Sequence, residues 1–121
     1  MTHRLSIGIG CSSSATSNDV IHLIQSCVDE MLPGSLLATL DRCAGIGEIV
    51  ATSLGLRLML FSASSLAQVP GITIHSPMAL GKAGTPSVAE ASALLSLGPQ
   101  ARLIVPRQTG RLCTCAVAVM P

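Results

Sequence analysis

Aromatic side chains are nearly absent: Phe61 stands alone, with no Trp or Tyr in the chain. Proteins that hold single-stranded nucleic acid by base stacking need such rings, so that class is disfavoured. The core must instead be built from Leu, Ile, Val, Ala and Met. Charge is scarce too, at 11% of residues, where about a quarter is usual. A formal net charge of +1 lacks the dense Lys/Arg footprint through which nucleic-acid binders release counterions, so no nucleic-acid partner is expected. A surface so poor in charge must carry much Ser, Thr, Gly and Ala, which predicts some tendency to form a homo-oligomer. No apolar run reaches the roughly 18 residues that suggest a membrane span, and no membrane partner is expected. The opening Met1-Thr2-His3-Arg4 passes straight into a strand pattern, without the apolar core and cleavage site of a secretory signal. The expected compartment is the cytoplasm. Five cysteines, an odd number, fit reduced and mostly buried thiols better than a disulfide framework. At 121 residues the chain has the length of one domain, spanning 1–121.

What the sequence does have is glycine in two suggestive places. Gly8-Ile9-Gly10-Cys11-Ser12-Ser13-Ser14 follows an apolar run, and Gly81-Lys82-Ala83-Gly84-Thr85-Pro86-Ser87 leads into Val88-Ala89-Glu90-Ala91. Both read as turns poised to open a helix. Glycine lets backbone approach a ligand closely, and the first amides of a helix have no partner inside it. Such turns make anion sites with little need of charged side chains. The bland alternative is that glycine only permits tight strand-to-helix turns and that Thr85 is a cap. Neither turn is a nucleotide signature. The first lacks the third glycine of a dinucleotide fold, and Gly81-Lys82 lacks the upstream glycine of a P-loop.

Periodicity predicts a strand over Arg4–Gly10. A helix then starts at Thr16 or Ser17, with Val20, Ile24, Cys27, Val28 and Met31 on one face and Pro33-Gly34 as its stop. A strand over Leu36–Leu40 is followed by a loop at Asp41-Arg42-Cys43-Ala44-Gly45 and a helix from about Gly47 to Leu54, closed by Gly55. Further expectations are a strand at Leu56–Phe61, a short helix at Ser62–Val69 and a turn at Pro70-Gly71 before Ile72-Thr73-Ile74-His75. Thr85 caps a last helix that Gly98-Pro99 stops. Arg102–Val105 and Cys113–Met120 form a hairpin around Gln108-Thr109-Gly110-Arg111. Strands alternating with helices, then a hairpin, define an α/β layer structure with a mixed sheet.

Several of these residues, taken in order, form a pattern. Gly8-Ile9-Gly10-Cys11, Leu37-Ala38-Thr39-Leu40-Asp41, Leu66, Gly84-x-x-Ser87-Val88-Ala89-Glu90-Ala91 and Thr114-Cys115-Ala116-Val117-Ala118 together resemble the CobE family, which is also the C-terminal domain of CbiG. The resemblance spans almost the whole chain. It implies a three-layer α/β sandwich with a mixed β-sheet, serving corrin-ring assembly in cobalamin biosynthesis. Full-length CbiG proteins open the δ-lactone of a cobalt-precorrin, an activity that need not reside in the shared C-terminal part. The chain departs from the family pattern in places. Ser12 stands where a basic residue is usual after the cysteine, and Cys43 and Ile46 stand where a Lys and an acidic residue are common, with Glu48 displaced. Arg107 replaces a late Lys.

The resemblance gives the glycine turns a guest: the carboxylates that ring a precorrin-type tetrapyrrole. Gly8, Gly10, Ser12, Ser13, Gly84, Thr85 and Ser87 are the candidates to hold them, with Lys82 and Arg107 available to neutralise charge. Cys11 would sit where a helix dipole lowers a thiol pKa, which makes it a conceivable nucleophile; a small residue filling a tight turn is the commoner case. Cys113 and Cys115 share a strand face, but no convergent His or second Cys pair accompanies them, so no metal site and no cofactor of the chain's own are expected. Glu90 lies on an otherwise apolar helix and must face solvent or find a partner, either Lys82 or an N–H of the guest. Thr39 and Asp41 end a strand where α/β proteins often place ligands, although Asp41 also suits a helix cap. The leading expectation is a precorrin carrier or accessory factor, with other pathway enzymes as further partners. The alternatives are a hydrolase opening the precorrin δ-lactone, or a structural subunit of a biosynthetic methyltransferase complex.

Overall fold

Two strands carry alternating bulky and small residues, and that alternation sets the layers. The computed structural model describes residues 4–28, 34–67 and 88–120. Its elements begin with β1 (Arg4–Cys11), α1 (Ser17–Cys27), β2 (Leu36–Leu40), a 3-10 turn (Asp41–Cys43) and α2 (Ala44–Leu54). They continue with β3 (Arg57–Phe61), α3 (Ala63–Ala67), α4 (Val88–Leu97), β4 (Arg102–Thr109) and β5 (Cys113–Met120). The sheet order is β3-β2-β1-β5-β4; β1, β2 and β3 run parallel, while β5 is antiparallel to both β1 and β4. The sheet is mixed, as the sequence predicts.

Strand residues point alternately to opposite faces. In β1, Leu5, Ile7, Ile9 and Cys11 join the main core with Val20, Leu23 and Ile24 of α1 and with Val50 and Ala51 of α2. The intervening Ser6, Gly8 and Gly10 form the small face, continued on β5 by Thr114, Ala116 and Ala118. Helix α4, rich in Ala and Ser, settles onto that face. Ser6 Oγ and Ser96 Oγ hydrogen-bond at 2.6 Å, and Ser92 Oγ donates to the Ala38 carbonyl at 3.1 Å. Helices on both faces complete the three-layer sandwich.

The helix ends follow local chemistry. Thr16 rather than Ser17 caps α1: its Oγ1 accepts from Asp19 N at 3.2 Å, and Thr16 N donates to Asp19 Oδ2 at 3.0 Å. That amide holds the Asp19 carboxyl below its ordinary pKa. Thr16→Ala is expected to cost about 1 kcal/mol, and Ser17→Ala a few tenths, as read by thermal unfolding. Gly55 closes α2 with φ 71°, and Gly98 ends α4 with φ 107°.

Two expectations need correction. The stretch 41–45 is not a loop, because a 3-10 turn feeds directly into α2 at Ala44. Within α2, glycine at 47 serves packing: a Cβ there would come within 3.0 Å of Leu58 Cδ1. Helix α3 is described over Ala63–Ala67, with Ser62 Oγ accepting from Ser65 N at its start, and the expected continuation to Val69 lies outside the described residues. Strand β4 runs on to Thr109, with its register shifting around Pro106, which an edge strand tolerates. The hairpin turn is therefore Gly110-Arg111-Leu112. Met31, Pro33, the turn at Pro70, the strand at Ile72–His75 and the helix start at Thr85-Pro86 lie outside the described residues. Among the described residues no helix is long and apolar enough to cross a membrane.

Candidate functional site

The antiparallel register brings Gly10 opposite Thr114 and Cys11 opposite Cys113, so the carboxyl end of β1 meets the start of β5. A hollow of about 440 Å³ opens there. The end of β1 contributes Gly10, Cys11 and Ser12, the 3-10 turn contributes Arg42, and α4 contributes Val88. The hairpin supplies Arg107, Thr109, Gly110, Leu112, Cys113 and Thr114. Both arginines are exposed, and among the described residues no carboxylate lines the hollow. The arrangement is cationic with hydroxyls beside it, suited to carboxylate or phosphate oxygens.

The predicted site residues divide. Gly10, Cys11 and Ser12 lie in the hollow. Gly8 does not: it is buried within β1, and a methyl built on it would overlap the Ala89 carbonyl oxygen of α4. The close approach it permits is made by the protein itself. Gly10 plays a milder version of that role, leaving room for Thr114 Oγ1, which a Cβ would approach to 2.8 Å. Ser13 is exposed but off the lining. Thr39 is fully buried, and its hydroxyl donates to the Ile9 carbonyl at 2.8 Å. Asp41 is exposed and opens the 3-10 turn, outside the lining. Glu90 Oε2 accepts from Arg107 N at 3.1 Å, tying the edge strand to α4 beside the hollow. Lys82, Gly84, Thr85 and Ser87, with the rest of the second glycine turn, lie outside the described residues.

Backbone amides around the first glycine segment are largely engaged. Ser12 N donates to Leu112 O at 2.9 Å, Ala15 N to Ser12 O at 3.1 Å, and Ser14 N to Ser12 Oγ at 3.3 Å. Positive charge reaches the hollow on side chains instead. Arg42, Thr109, Leu112 and Thr114 were given no site role by the sequence reading. They converge only through strand register and the turn after β2.

Four of the five cysteines are shielded by burial. Cys11 ends a strand, with its side chain on the α1–α2 face, and does not stand at a helix start. Burial, reinforced by the neighbouring Cys43 thiol, pushes its pKa up to about 12, the reverse of the lowering expected from a helix dipole. Burial also raises the Cys113 and Cys115 thiols. Among the described residues no group of His, Cys, Asp and Glu is arranged to hold a metal. Of the five cysteines, Cys27 alone is not buried, so a thiol reagent at neutral pH is expected to modify one thiol rapidly and the other four only after denaturation. Counting fast-reacting thiols by absorbance checks this.

A second hollow of about 400 Å³ lies across the hairpin tip, lined by Asp19, His22, Leu23, Ser26, Gly110 and Arg111. Arg111 Nε stands 3.6 Å from Asp19 Oδ1 within it, and Gly110 borders both hollows.

The described residues thus form an α/β sandwich with helices on both faces of a mixed sheet and two arginines at a hollow by its strand ends. Residues 5–118 match the family described as Cobalamin synthesis G C-terminus, and the chain belongs to that family. Membership gives it a role in cobalamin biosynthesis. Solved structures share the fold. CobE, a protein from the cobalamin (vitamin B12) biosynthetic pathway, is similar at 23% identity and TM-score 0.80, covering 100% of this chain and 93% of that one. Cobalamin biosynthesis protein chiG from Agrobacterium tumefaciens str. C58 is similar at 29% identity and TM-score 0.69, covering 94% and 96%. A cobalamin biosynthesis protein G homolog from Sulfolobus solfataricus is similar at 20% identity and TM-score 0.73; the match covers 99% of this chain but 38% of that longer one. No curated protein matches the chain.

Proposed function

We propose that this protein binds a precorrin-type tetrapyrrole in the hollow at the end of β1 and acts as a carrier or accessory factor for the pathway. One observation carries the reading: Arg42 and Arg107 line a single hollow with Ser12, Thr109 and Thr114, and among the described residues no carboxylate lines it. A precorrin presents several carboxylates around an apolar ring. Guanidinium groups suit the former, since their planar fork matches a carboxylate. Val88 and Leu112 offer aliphatic surface to the latter.

The state of the thiols speaks against a cysteine nucleophile in the hollow. Cys11 and Cys113 line the hollow, and burial raises both thiol pKa values. The hydrolase alternative loses its cysteine by this argument.

The test is an absorbance titration with a corrin bearing free side-chain carboxylates, run beside the same corrin with those groups amidated. Saturable spectral change with the acid form, much weaker with the amide, is the expected result. A spectrum left unchanged by the acid form would leave only the structural-subunit alternative. Ring-opening of a precorrin lactone by the isolated chain would replace the carrier with an enzyme.

A further inference from the structure

Among the described residues one non-glycine residue has positive φ: Leu112, at 62°. It is the last of the three residues, 110–112, that connect β4 to β5, where Thr109 pairs with Thr114 and Gly110 N donates to Cys113 O at 2.8 Å. Turns put Gly or Asn at such a place, because a Cβ crowds the backbone in the left-handed region. A glycine is available nearby and is not used for this purpose. Gly110 instead faces α1, where a Cβ would come within 3.1 Å of Leu23 Cδ2.

Among the described residues nothing packs Leu112 into a core. Its side chain is 44% exposed and belongs to neither hydrophobic cluster. Its carbonyl accepts from Ser12 N at 2.9 Å, a bond that any residue there would make. What the isobutyl group does is line the hollow, together with Val88, Arg42 and Arg107. A strained backbone position persists where something other than stability selects it.

We infer that Leu112 is a binding residue, held in an unfavourable conformation so that its side chain supplies apolar contact to the face of a flat, carboxylate-edged macrocycle. This rests on the proposed function and adds to it the way the ring face is held in a site without aromatics. Arg42 and Arg107 take the charged rim, and Leu112 takes the ring.

Leu112→Gly and Leu112→Asn suit the left-handed backbone better than leucine, so stability and binding should part company. Both variants are expected to melt no lower than the native protein, yet to bind the free-carboxylate corrin about tenfold more weakly in the absorbance titration. Leu112→Met keeps an apolar side chain and is expected to bind within about twofold of native. Lower melting in the Gly and Asn variants would mean that the leucine is structural, and native-like affinity would mean that it touches no ligand; either result overturns the inference. Native protein that fails to bind the corrin defeats the functional reading itself. Native binding with unchanged Leu112→Gly affinity defeats the Leu112 role alone.

Discussion

Replacing Gly8 by Ala is expected to lower the melting temperature by about 10 °C or more, or to leave no folded protein to melt. Overpacking a core costs about 1–3 kcal/mol and occasionally more, and each kcal/mol moves the melting point of a domain this size by about 4 °C. The cost here falls at the upper end because the obstruction is backbone. A methyl at Gly8 would overlap the Ala89 carbonyl oxygen and come within 2.8 Å of Ala93 N, and neither can rotate away. Helix α4 would have to lift from the sheet, loosening the Ser92–Ala38 and Ser6–Ser96 hydrogen bonds that lie along it. Gly10→Ala provides the contrast. Its tightest neighbour is Thr114 Oγ1, the end of a side chain that can turn, so about 1 kcal/mol is expected. Melting followed by circular dichroism compares the two. A Gly8→Ala protein within about 2 °C of native would show that the helix does not sit where the small face places it.

That same small face explains how far the sequence could be read. The elements were legible where the chain punctuates itself: Thr16 before Asp19, Gly55 after Leu54 and Gly98 after Leu97 each mark a helix end by a local rule. Gly8 and Gly10 were read as turn residues because glycine most often serves turns. Their signal lay in the alternation with Leu5, Ile7 and Ile9, which marks one strand with a bulky face and a bare one. The Ala and Ser content of Val88–Leu97 is the matching half, a helix slim enough to lie on that bare face. Gly110, expected in a turn, likewise serves close packing against Leu23. The hollow was less legible. Gly10 and Thr114 are 104 positions apart and meet only through the β1–β5 register. Arg42 reaches the site because the chain turns tightly after Leu40 instead of looping away. No periodicity within one segment encodes such a meeting.

Arg42→Ala and Arg107→Ala are each expected to weaken binding of a free-carboxylate corrin by about tenfold, and the double variant by about a hundredfold. Hydrogen bonds to charged groups contribute about 1.5–3 kcal/mol, and 1.4 kcal/mol is tenfold in affinity. The lower end applies because both guanidinium groups are exposed and partly screened by water and salt. The same exposure makes the loss salt-dependent, largest at low ionic strength and shrinking as salt is raised. Stability should hardly change, since neither side chain is in the core. Glu90→Ala belongs in the series as a positioning variant. Its carboxylate holds Arg107 N to α4, so releasing it should weaken binding by less than removing Arg107 itself while leaving the guanidinium present. Arg102→Ala removes an equal charge from the same strand but outside the lining of the hollow, and is expected to stay within about twofold of native. If Arg102→Ala weakened binding as far as Arg107→Ala, long-range attraction by the net charge would account for the affinity, and the hollow would lose its claim to hold the carboxylates.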